Sequence, residues 1–159
     1  MNKLLIKKII SLVLLLLWMG VIFSFSSANS NESTETSNKV MDVPINLIDK
    51  IKGTNTSQSE RTKIYEKYHF IVRKAAHVTE YLILGVLMLN CLHVFNAPKE
   101  FYLALFLCFL YAGSDEFHQY FTGRSARIMD VMIDTFGSFL GILLHNFGMK
   151  KVILKFKKG

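Results

Sequence analysis

Histidines, carboxylates and basic side chains gather in three short runs of this chain, each at the edge of hydrophobic sequence. The first contains Arg73, Lys74, His77, Glu80 and Tyr81; the second Ser114, Asp115, Glu116, His118 and Gln119; the third Gly123, Arg124, Arg127 and Asp130, with Asp134 beyond it. A buried carboxylate beside a histidine can serve as a general acid or base. Asp115, Glu116 and His77 are therefore the candidate catalytic groups. Lys74, Glu80, Tyr81, Gln119, Arg124, Asp130 and Asp134 form a candidate ligand-binding set, in which an arginine fork suits a phosphate or carboxylate. His77 and Glu80 with Asp115 or Asp130 would also make an oxygen-rich divalent-metal set. A single well-placed histidine among several cations argues against that, so no metal ligand and no cofactor is assigned. The sequence contains no Ser/His/Asp nucleophile motif, no His-Glu-x-x-His and no phosphate-binding glycine loop.

The plain alternative is a buried ion-pair network that keeps helices in register. Interhelical polar contacts in membranes contribute only about 0.6 kcal/mol on average, a small return for so many charges. A pocket that binds or acts on a polar group accounts for them better.

Hydrophobic blocks must position these groups. Of the 159 residues, 51% are hydrophobic, and the mean hydropathy is +0.30, high for a soluble domain. The apolar residues come in blocks near 5–25, 75–95, 99–118 and 128–147. A bilayer-spanning helix needs about 20 such residues, so the expectation is an all-α bundle of four transmembrane helices forming one domain over 1–159. Residues 26–70 read as a polar loop and 148–159 as a basic tail. Within the loop, residues 40–51 are amphipathic enough for a short helix after Pro44, and 60–70 resemble an interfacial helix leading into the second span. The rest is too polar to fold tightly by itself. The first block ends in an acceptable small-residue cleavage site, Ser26-Ser27-Ala28, but its length and Trp18 favour an uncleaved helix.

The net charge of +7 is concentrated at Lys3, Lys7 and Lys8 before the first span and in the lysines after the last. Lysine-rich flanks stay in the cytoplasm, and an even number of spans puts both termini there. Lys63, Lys67, Arg73 and Lys74 run against this count, but long loops weigh less in it. Anionic headgroups explain the basic tail, so the expected partners are membrane lipids and an envelope ligand rather than nucleic acid. Oligomeric state is left open. Cys91 and Cys108 fall within spans and read as packing residues.

Span order brings the three runs together. The first opens span two, the second closes span three and the third opens span four, so all three emerge on one face, extracytoplasmic in this topology. Asp134 lies roughly 9 Å inside its span at 1.5 Å per residue. An acid at such depth costs about 2.5–3.5 kcal/mol and should face protein and a cation, with Arg124, Arg127, Lys74 and His77 as choices. Gly137 and Gly141 make a small-xxx-small pattern that lets another helix approach closely.

At these residues the chain resembles the VanZ-like family of bacterial membrane proteins. The resemblance rests on Arg73-Lys74 with His77, Glu80-Tyr81 and Leu84-Gly85; on Ser114-Asp115-Glu116 with His118-Gln119, Phe121 and Gly123-Arg124; and on Asp130, Asp134, Gly137 and Gly141. Trp18-Met19 and the stretch from Ile22 to Ser27 look like the family's first span and its exit. The family takes its name from a protein that gives low-level resistance to teicoplanin, a lipid-tailed glycopeptide. The resemblance thus implies a multi-pass cell-envelope protein that recognises an anionic envelope ligand or lipid-anchored glycopeptide. The alternative is a small membrane hydrolase or transferase acting on an envelope lipid or peptidoglycan precursor.

Overall fold

The computed structural model describes residues 2–27, 30–121 and 127–157, and among these every regular element is helical. In chain order they are α1 (Lys3–Ser26), α2 (Ser30–Lys52), α3 (Gln58–Val94), α4 (Glu100–Phe121) and α5 (Ile128–Lys157). Three of them are long and apolar enough to cross a membrane: α1, α3, and α5 over Ile128–Gly148. α4 carries Glu100, Asp115 and Glu116 within its 22 residues and falls short of that measure, although it packs among the other three.

α1 shows why such a helix suits lipid. Its buried positions, Ser11, Leu15, Ile22 and Ser26, recur at helical spacing and form one stripe. The remaining circumference is also apolar and exposed, with Leu17 at 62%. A helix that is hydrophobic all round belongs in an apolar medium.

α3 is the centre of the bundle and packs on α5, α1, α4 and α2. It starts with a capping box, in which Ser57 and Glu60 satisfy each other's backbone N–H groups. Its 37 residues make a rod about 55 Å long, against a hydrocarbon core of about 30 Å. The expected interfacial helix and second span are therefore one uninterrupted helix. The turn expected at Asn96-Ala97-Pro98 connects α3 to α4, with Asn96 and Lys99 at positive φ (54° and 49°).

Helix in the expected polar loop over 26–70 reaches further than the two short helices expected within it. Residues 30–52 are helical on both sides of Pro44, and α2 packs on the N-terminal half of α3. The apolar contribution is small, with Met41 and Ile45 buried. A side-chain network does the rest. The Arg61 guanidinium donates to Asp42 (2.8 Å), Asn46 (2.8 Å) and Asp49 (3.2 Å), and Tyr65 donates its hydroxyl to Asp42. Asp49 also accepts from the Thr54 hydroxyl and from the N–H and hydroxyl of Thr56, which fixes the turn between the helices. Nor does the helix stop at the expected tail: α5 continues to Lys157.

The α3–α5 contact depends on missing side chains. A Cβ on Gly137 would lie 2.7 Å from the Val78 carbonyl oxygen. One on Gly141 would collide with the Leu82 carbonyl, and one on Gly85 with that of Ser138. The small-residue pattern on α5 thus meets α3, backbone against backbone. α1 is joined to its neighbours by two hydrogen bonds: the Trp18 indole N–H donates to the Glu80 carbonyl (2.9 Å), and the Tyr111 hydroxyl to the Met19 carbonyl (2.7 Å).

Candidate functional site

Close packing of α3 against α5 sets the distance between His77 and Asp134. His77 Nδ1 lies 3.7 Å from Asp134 Oδ1, and Asp134 is only 2% exposed. α4 brings Asp115, 3% exposed, to the same point. One ligating atom from each of His77, Asp115 and Asp134 falls within 4.8 Å of the others. Three helices and all three sequence runs therefore contribute to one buried cluster.

Around it the polar groups are ordered. The Gln119 amide, one turn beyond Asp115 on α4, donates to Asp115 Oδ2 at 3.1 Å. Tyr81, one turn beyond His77 on α3, is fully buried near Asp115. Lys74 and Asp130 form an ion pair, each with less than a fifth of its side chain exposed. This pair is more exposed than the acids beside it, and Lys74 also stands over the Phe70 ring (5.4 Å). Glu116 points elsewhere, and its Oε1 accepts the Arg127 backbone N–H at 2.6 Å, just ahead of α5. A carboxylate there meets the positive end of the helix dipole.

The predicted site residues therefore divide. His77, Tyr81, Asp115, Gln119 and Asp134 meet, with Lys74 and Asp130 paired nearby. Glu116 anchors the start of α5. Glu80 stands outside the cluster, and its backbone carbonyl receives Trp18. Arg124 lies outside the described residues. Among the expected partners of Asp134, His77 is the one in ion-pair range among the described residues. His118 belongs to a clasp between α1 and α4, stacked on Phe23 (4.4 Å between ring centres) and 3.1 Å from the Ser27 hydroxyl.

Sequence reasoning missed the Arg61 network. Its signal was present, since Asp42, Asn46 and Asp49 share one face of α2 and Arg61 and Tyr65 one face of α3 at helical spacing. The spacing does not reveal that the two faces meet.

Helices of membrane-crossing length around a buried polar cluster define a helical membrane protein with an internal polar site. A family model described as VanZ/LLP1 matches residues 11–149, and the chain belongs to that family. Comparison with curated proteins and with solved structures returned no match.

Proposed function

We propose that the protein crosses the bilayer four times with both termini in the cytoplasm, and that its outer-face cluster receives the anionic group of a cell-envelope ligand or of a lipid-anchored glycopeptide. The observation that carries this reading is the Lys74–Asp130 pair beside the buried acids. A lysine held by a carboxylate exchanges that partner for a ligand phosphate or carboxylate without itself losing a counter-charge. On this reading α4 is one of the four spans, since it packs among three helices of spanning length.

Binding predicts that expression shifts teicoplanin susceptibility with no processed product, and that Lys74→Met removes the shift while the protein still reaches the membrane. An unchanged shift in Lys74→Met overturns the assignment. An accessibility tag between 120 and 125 that reports cytoplasm overturns the orientation.

Enzymatic turnover of an envelope lipid or peptidoglycan precursor is the second reading. Its support is the half-buried His77 within 4.8 Å of the buried Asp115, a pairing that acid–base chemistry uses. Glu116, engaged with the α5 backbone, is the weaker candidate of the two acids. Purified protein should then alter a lipid-linked substrate, with turnover abolished in Asp115→Asn and retained in part in Glu116→Gln. Full activity in Asp115→Asn ends the catalytic reading.

A further inference from the structure

We propose that His77, Asp115 and Asp134 bind a divalent metal ion, Mn2+ or Zn2+, with one ligand from each of α3, α4 and α5. The inference concerns the same site as the proposed function, but it stands on separate observations and is tested separately.

Geometry is the first. Charge-assisted hydrogen bonds between a ring nitrogen and a carboxylate run about 2.7–2.9 Å. The His77–Asp134 separation of 3.7 Å is too long for one. Ligand atoms around a metal at about 2.1 Å lie about 3.0–4.2 Å apart, which matches this separation and fits the 4.8 Å envelope of the three groups after a small closure.

Charge is the second. Asp115 and Asp134 approach within 4.8 Å of each other at 3% and 2% exposure. The nearby Lys74 is committed to Asp130. Two carboxylates so close and so dry repel strongly in a medium of low dielectric, and a divalent cation between them removes the repulsion.

Support around the ligands is the third. Ligating side chains in metal sites are held by outer hydrogen bonds that fix their orientation. Gln119 holds Asp115 Oδ2 from one turn away on the same helix. One nitrogen and two carboxylates suit Mn2+ or Zn2+, and a three-residue set keeps positions open for water or a ligand oxygen. Glu80 and Asp130, the other acids of a metal set legible in the sequence, stand outside the converging trio.

The test uses the full chain in nanodiscs, stripped with a chelator and titrated with Mn2+ under electron paramagnetic resonance. One Mn2+ per chain, displaced by Zn2+, is expected. Asp134→Asn should lower affinity by more than about 100-fold, and Gln119→Leu, which removes only the orienting amide, by about 10- to 100-fold. Absence of stoichiometric Mn2+ and Zn2+ binding in the wild-type protein overturns the proposal, as does undiminished binding in Asp134→Asn. If Asp134→Asn loses its helical circular dichroism, Gln119→Leu decides, and unchanged affinity there overturns it too. Metal binding without any glycopeptide response defeats the ligand reading alone. A ligand response in a chain that takes up no stoichiometric metal defeats the metal alone.

Discussion

Single residues in this protein do different work at nearly the same depth. Asp115 faces the cluster, while its neighbour Glu116 turns to the head of α5. Glu116→Gln keeps an acceptor for the Arg127 N–H but loses the attraction of a charge for a helix end. The expected cost is about 0.3–1 kcal/mol, read as a lowered melting temperature in nanodiscs with Mn2+ affinity kept. Trp18→Phe removes the donor to the Glu80 carbonyl. Interhelical bonds in a bilayer contribute about 0.6 kcal/mol, so the loss should be small, and a loss of several kcal/mol would mean that this bond orders the whole of α1.

At the same scale, much of the site was legible. His77, Asp115 and Asp134 stand out because charges are rare in apolar sequence, and the depth of Asp134 required a partner. Which partner was not legible: Arg124, Arg127, Lys74 and His77 all lie near the right level in the sequence, and among the described residues the α3–α5 approach selects His77. Glu80 and Tyr81 lie three and four residues from His77, both helical neighbours, so spacing alone does not separate them. In the structure the Glu80 backbone carbonyl receives Trp18 of α1, while Tyr81 is fully buried near Asp115.

Helices pack here by two different rules. α3 and α5 meet through glycines, so Gly141→Leu or Gly85→Leu should force them apart at a cost of at least about 1–3 kcal/mol and loosen the site with them. Gly113 has open space around its would-be Cβ. Gly113→Ala should therefore be neutral or stabilising by up to about 1 kcal/mol, because it improves helix propensity. Thermal unfolding of the three variants side by side checks the contrast; equal melting temperatures would refute the close-contact account.

The α2–α3 hairpin holds by polar bonds instead, and this makes it sensitive to acid. The Tyr65 hydroxyl, then Arg61, lower the Asp42 carboxyl below its ordinary 3.8. The Thr56 backbone N–H and hydroxyl do the same for Asp49. A lowered folded value means that these carboxylates support the hairpin above the unfolded value and stop doing so as pH falls through the folded one. Protection of the α2 amides, taken relative to the intrinsic exchange rate at each pH, should be high at neutral pH and fall below about pH 3.8. Arg61→Ala should lower it at every pH; unaltered protection would mean that Met41 and Ile45 suffice. A reading based on apolar content passes over this hairpin, because such a reading counts burial and not side-chain networks.

Across the whole molecule, the plan of apolar helices carrying polar ends was readable from block lengths. The turn at 96–98 and the Gly137/Gly141 contact were readable as well. The boundary between loop and span was not, because helical structure continues past the point where hydrophobicity stops. α3 has no break between its polar first half and its apolar second half.

An unbroken rod is also a lever. From Gln58 to His77 runs about 28 Å of continuous helix. A tilt of about 10° at the hairpin swings one end of that length by about 5 Å relative to the other, comparable with the spacing of the whole cluster. Whatever grips α2 far from the acids therefore also grips the helix that carries His77. A partner at the hairpin could open or close the site without touching it.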